Sequence, residues 1–115
     1  MEMCKEARKN GQEMIYRNAP AMVAVAIDTE KATLGCEYAD PFIALSYLDL
    51  YAPSLGLGTL WCDIAGMMAE QIPEVYAMLE IPENYTLRFI MLLGIPAVKY
   101  QRTIRPEQFG ISEVR

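Results

Sequence analysis

The stretch Gly56-Leu57-Gly58-Thr59-Leu60-Trp61-Cys62-Asp63 decides the fold of this 115-residue chain. A long apolar segment runs into it from Asp40, two glycines let the backbone reverse, and a short β-type run then stops at an acid. Glycine in such a place supplies positive φ or room for a close approach. The order is helix, Gly-x-Gly, strand. A dinucleotide-binding turn runs the other way, from strand to helix, so that fingerprint is excluded. By its own physics the segment reads as a helix C-cap leading into a buried strand.

Upstream, Asp40-Pro41 provides an N-cap followed by proline at the first helical position. Phe42, Ile43, Tyr47, Leu48, Leu50, Tyr51 and Leu55 recur at helical spacing and cover much of the circumference, as in a buried helix. Asp49 falls among them, either as a buried carboxylate or, on the plainer reading, on the one wet stripe. Pro53 removes the hydrogen bond to the Asp49 carbonyl and should kink or end the helix in its last turn. Before this helix, Glu2–Asn10 reads as a helix stopped by Gly11, and Ala19-Pro20 breaks any continuation. Ala21–Ile27 is a continuous apolar run closed by Asp28, the composition of a central strand covered on both faces. The polar Asp28–Tyr38 segment reads as a loop.

Downstream, Thr59–Cys62 is expected to be a short strand and Ala65–Gln71 a short helix. Pro73 opens another helix over Glu74–Glu80, and Ile81-Pro82-Glu83-Asn84 is a turn. Thr86–Gly94 is a second strong apolar strand, and Pro96 forces the chain off it into an extended charged tail over 97–115. The expected class is α+β, with about three strands and four helices in one domain spanning 1–115.

Composition narrows the chemistry. Hydrophobic residues make up 53% of the chain, rich for so small a domain, which points to a tight core, a subunit interface or a piece of something larger. There is no histidine, so His-based triads and His-ligated metals are excluded. The three cysteines Cys4, Cys36 and Cys62 are odd in number and lack C-x-x-C spacing, which argues against disulfides and zinc and for a reducing cytoplasm. Asp63 beside Cys62 disfavours a second negative charge there, so no nucleophilic role is assigned to the thiol. Trp61 reads as core or as the wall of a pocket. No run reaches the roughly 18 apolar residues of a membrane span, and the charged start is no signal peptide.

Net charge is −5, yet Asn84 to Pro106 contains no acid while holding Arg88, Lys99, Arg102 and Arg105. An acidic chain with a locally basic tail suggests a small-anion site rather than nucleic acid, a solvated surface run being the plainer alternative.

Four motifs in register add a resemblance. Asn18-Ala19-Pro20 leads into an apolar strand, and Ala39-Asp40 precedes a long helix running into Gly56-Leu57-Gly58-Thr59-Leu60-Trp61. Leu93-Gly94-Ile95-Pro96 then precedes Lys99-Tyr100-Gln101-Arg102. Together these resemble the nitroreductase family, flavin mononucleotide (FMN) enzymes that reduce nitro groups, quinones or flavins with NAD(P)H. The likeness covers nearly the whole chain and matches the carboxy-terminal half of the family.

It implies a nitroreductase-like mixed β-sheet flanked by helices and truncated at the amino-terminal side. Leu60, Trp61, Cys62, Asp63 and Ile64 would lie along the flavin ring, with a backbone amide near Asp63 or Ile64 facing the N5/O4 edge. Lys99 and Arg102 would bind the FMN phosphate. Hydride transfer would be the cofactor's chemistry, with no protein acid or base and no metal. Implied partners are a small-molecule acceptor and either a second copy or a chain supplying the missing half, without nucleic acid or membrane. Two departures stand out: Asp63 occupies a position where the family often has glycine, and Ile95 replaces a usual tyrosine. The rival reading, from another class, is a non-catalytic module that serves only as an interface.

Overall fold

In the computed structural model, residues 9–11 and 16–101 are described. The elements are β1 (Ala21–Asp28), α1 (Ala39–Tyr51), a 3-10 turn (Ala52–Leu55), β2 (Gly58–Trp61), α2 (Asp63–Gln71), α3 (Pro73–Met78) and β3 (Tyr85–Gly94). Most of the helix expected over Glu2–Asn10 and most of the tail over 97–115 lie outside the described residues. Residues 97–101 have no regular structure.

The three strands are arranged β1-β3-β2, antiparallel throughout. Two expectations change here. The expected mixed sheet is antiparallel over the described strands, and β1, expected at the centre, is at an edge. Among the described strands both outer ones pair with β3, so only β3 has neighbours on both sides there. Its sequence fits that place, because Leu87, Ile90, Met91 and Leu92 are all buried.

Pairing of β1 with β3 slips once, between Val25 and Ala26, where Arg88 of β3 is the extra residue. A bulge re-aims side chains. Without it Leu87 and Ile90 would point to opposite faces. With it, the register aligns Leu87, Ile90 and Leu92 with Ala26, Ala24 and Met22 on one face. On that face Cys62, Leu87, Ile90 and Leu92 form a cluster against Val75, Tyr76, Leu79 and Ile81 of the α3 region. The Tyr76 hydroxyl accepts from the Leu87 N–H at 3.2 Å, tying helix to strand.

On the other face α1 packs across β1 and β3. It was expected to be buried all round. Instead Pro41 and Leu45 are buried, while Ile43, Tyr47, Leu50 and Tyr51 are exposed. A helix laid on one side of a three-stranded sheet has only one face to bury, and its outward apolar side is uncovered among the described residues. No described helix is long and apolar enough to cross a membrane.

The helix-to-strand turn follows the sequence closely. α1 ends at Tyr51 and passes into a 3-10 turn containing Pro53, as loss of the proline N–H requires. Gly56 then adopts φ 75°, its N–H donating to the Pro53 carbonyl at 3.0 Å and that of Leu57 to the Ala52 carbonyl at 3.1 Å. This is a Schellman closure, which satisfies carbonyls that the helix end leaves open. Gly58 has a different reason to be glycine: a Cβ there would lie 3.3 Å from Pro96 Cγ. Gly56→Ala is therefore expected to lower the unfolding free energy by about 1–2 kcal/mol, the cost of a left-handed non-glycine residue. A urea midpoint unchanged from wild type would contradict this.

Asp28 closes β1 and is the buried charged residue of the described fold. Its carboxylate accepts from the Glu30 N–H at 3.1 Å and from Asn84 Nδ2 at 3.0 Å, and Lys31 Nζ lies 3.3 Å away. These partners offset desolvation and pin the turn before β3 to the end of β1.

Candidate functional site

Reversal at Gly56 folds α1 back along β2, and this sets the surroundings of Thr59 and Trp61. The two residues are two apart on a strand and so share a face, the one turned to α1. Asp49 meets both. Its Oδ1 accepts from the Thr59 hydroxyl and its Oδ2 from Trp61 Nε1, the latter at 3.1 Å. Asp49 is thus half-buried and hydrogen-bonded to β2 rather than on a wet stripe, which corrects the plainer sequence reading.

The Trp61 indole packs against Phe42 of α1, centroids 5.2 Å apart, and edge-on to Phe89 of β3 at 5.9 Å. Phe42 and Phe89 complete the group at 5.9 Å. Tilted and edge-to-face pairs of this kind contribute about 0.5–1.5 kcal/mol each beyond buried area. An open cleft of about 390 Å³ is lined by Phe42, Ser46, Asp49, Trp61, Asp63 and Phe89. Within it the Ser46 hydroxyl is directed back to the Phe42 carbonyl at 2.7 Å.

At the other end of β2 a groove of about 310 Å³ runs between the 16–20 segment, Gly58–Leu60 and the 92–96 end of β3. Arg17 and Asn18, both with positive φ, form part of its wall.

The structure distributes the expected site residues between these places. Leu60 lines the groove, and Trp61 and Asp63 line the cleft. Cys62 is buried in the core, and its N–H donates to the Ile90 carbonyl at 2.9 Å. Ile64 is exposed on the first turn of α2. Lys99 is exposed beyond Pro96, and Arg102 lies outside the described residues. Neither described cysteine, Cys36 or Cys62, is in a disulfide. Among the described residues no group of three or more Cys, Asp or Glu is placed to hold a metal ion.

Whether this surface fits a flat, anionic cofactor is decided by its donors. The Asp63 and Ile64 amides belong to the first turn of α2, where N–H groups have no partner within the helix. The helix dipole adds partial positive charge there. Leu60 and Ile64 present apolar side chains on either side of Trp61 and Cys62. Apolar contacts flanking first-turn amide donors suit a ring with a polar edge, so the residues fit. Sequence reading missed Asp49, Phe42 and Phe89 as parts of this site. The available signal was an acid inside an apolar helix ten and twelve residues before a Thr-x-Trp pair.

No family model matches the chain, and no curated protein matches it. Solved structures do. A nitroreductase with bound FMN from Desulfitobacterium hafniense DCB-2 is 24% identical, with a TM-score of 0.73, over 96% of this chain and 58% of its own. A nitroreductase with bound FMN from Bacteroides fragilis NCTC 9343 is 23% identical, with a TM-score of 0.66, over 95% and 61%. An FMN-dependent nitroreductase from Clostridium difficile R20291 is 24% identical, with a TM-score of 0.61, over 81% and 60%. The fold is therefore nitroreductase-like, and the chain spans 56–61% of the length of the first four of these structures.

Proposed function

We propose that this chain is part of an FMN-dependent oxidoreductase of the nitroreductase type, working in the cytoplasm and passing a hydride from NAD(P)H to a nitroaromatic, quinone or similar acceptor. The observation that carries the reading is the β2–α2 junction, which puts exposed apolar residues and the first-turn amides of α2 side by side in a fold shared with FMN-bound nitroreductases. FMN, when bound, supplies the redox chemistry, and the chain binds and orients it. The backbone of Leu60, Trp61, Cys62, Asp63 and Ile64 would form the strip along the ring, the Cys62 side chain being buried in the core. The Asp63 and Ile64 amides donate hydrogen bonds to its N5/O4 edge, where preorganised donors favour negative charge. Lys99 and Arg102 neutralise the phosphate.

The chain associates through α1 with a second copy or with another chain. The uncovered side of α1 supports this, since Ile43, Tyr47, Leu50 and Tyr51 make a continuous apolar stripe and Leu50 is 81% exposed. The same stripe favours the second reading, a non-catalytic module that only associates.

One experiment separates them. FMN fluorescence titrated with the protein, alongside its elution volume, should show saturable quenching at one flavin per chain in an oligomer. A colourless oligomer indifferent to flavin would reject the oxidoreductase and keep the interaction module. Tyr47→Glu with Leu50→Glu is expected to shift elution toward the monomer and to weaken flavin binding with it. Unchanged elution would place the interface elsewhere.

A further inference from the structure

We infer that Asp49 is a positioning residue for the flavin-facing strip, holding β2 by the two side chains it shares with α1. This rests on the function proposed above and assigns a task to a residue outside the expected site. β2 is four residues long and, among the described strands, pairs only with β3. So short a ladder, paired on one side, leaves the strand's tilt weakly determined. Asp49 adds a second attachment from the sheet face covered by α1, one carboxylate oxygen taking the Thr59 hydroxyl and the other the Trp61 indole N–H.

The chemistry of the three groups makes the arrangement specific. An indole N–H only donates, so Trp61 needs an acceptor; a hydroxyl both donates and accepts. A carboxylate therefore serves both partners. An amide of the same shape also does so, its oxygen accepting from Trp61 and its NH₂ donating to Thr59. An apolar side chain serves neither.

The geometry passes the constraint on to the ligand-facing atoms. Trp61 is followed at once by Cys62, fixed to the Ile90 carbonyl, and by Asp63, the first residue of α2. A pinned indole thus sets how the chain enters the helix start whose amides meet the ring edge. It also fixes one wall of the cleft, where Trp61 leans on Phe42 and Phe89.

The test uses Trp61 itself, the single tryptophan of the chain, so that its fluorescence reports the site without any cofactor. Wild type, Asp49→Asn, Asp49→Leu and Thr59→Val are compared for acrylamide quenching of Trp61 and for the FMN dissociation constant. Thr59→Val keeps a β-branched residue in the strand and covers the case in which Asp49→Leu does not fold. Asp49→Leu is expected to increase quenching of Trp61 and to weaken FMN binding about tenfold, as loss of hydrogen bonds to a charged group implies. Thr59→Val should fall between wild type and Asp49→Leu. Asp49→Asn should stay within about threefold of wild type, since it retains both bonds.

Equal quenching and equal FMN affinity in wild type, Asp49→Leu and Thr59→Val would overturn the inference. So would an Asp49→Asn protein as impaired as Asp49→Leu, because bridging would then not be what Asp49 does. Failure of wild type to bind FMN overturns the proposed function instead. The clamp is then judged on Trp61 alone, upheld by increased quenching in Asp49→Leu or Thr59→Val and rejected by none.

Discussion

Ile90→Ala is expected to lower the unfolding free energy by about 2–5 kcal/mol, the range for emptying a packed aliphatic site. Against a total of about 5–15 kcal/mol for a domain, that is a large share. Ile90 is 1% exposed on the central strand, in the cluster with Leu87, Leu92 and Cys62, and its carbonyl holds the Cys62 N–H. Removing its branch opens a void beneath α3, whose six residues offer little to collapse into it. Leu34→Ala is the control. At 94% exposure it should stay within about 0.5 kcal/mol of wild type. Urea unfolding of the two variants checks both statements, and similar midpoints would mean that the β3 face is not the core.

Lys99→Ala combined with Arg102→Ala is expected to weaken FMN binding about a hundredfold. Each charge-assisted hydrogen bond to a phosphate is worth about 1.5–3 kcal/mol, and 1.4 kcal/mol is tenfold. Each single variant should therefore lose about tenfold, and the wild-type affinity should fall with salt while that of the double variant falls less. Unchanged affinity in the double variant would remove both residues from the site. Riboflavin, which lacks the phosphate, supplies the internal check: its binding should be indifferent to both substitutions. Protection against unfolding by inorganic phosphate as strong as that by FMN would instead favour a simple anion site in this basic stretch.

The carboxylate of Asp63 works against the amides beside it. It lies on the first turn of α2, where an acid is favoured by the helix dipole, and it borders the cleft. In the proposed site, the same position that stabilises the helix would place a negative charge near a ring that becomes anionic on reduction. On the proposed function, the chain would trade some electrostatic support at the ring edge for helix stability.

Much was legible in the sequence, for local reasons. Pro53 and Gly56 fixed the end of α1 because a missing N–H and a left-handed backbone are properties of single residues. The strands β1 and β3 were visible as apolar runs between turn signals, that of β3 broken by Arg88, and Pro73 marked the start of α3. The four motifs in register pointed to the nitroreductase-like fold later found among solved structures.

Tertiary structure alone decided the rest, because it depends on which elements meet. Two equally apolar strands do not say which is central; β3 became so because β2, released by the Gly56 turn, pairs with it and not with β1. The bulge at Arg88, which gathers Leu87 with Ile90 and Leu92, comes from pairing with another strand and leaves no mark in one-dimensional periodicity. The role of Asp49 was likewise left undecided between a buried and a solvated carboxylate. An acid on an apolar helix reads as solvated until the fold sets Thr59 and Trp61 opposite it, and only that juxtaposition turns a wet stripe into a clamp.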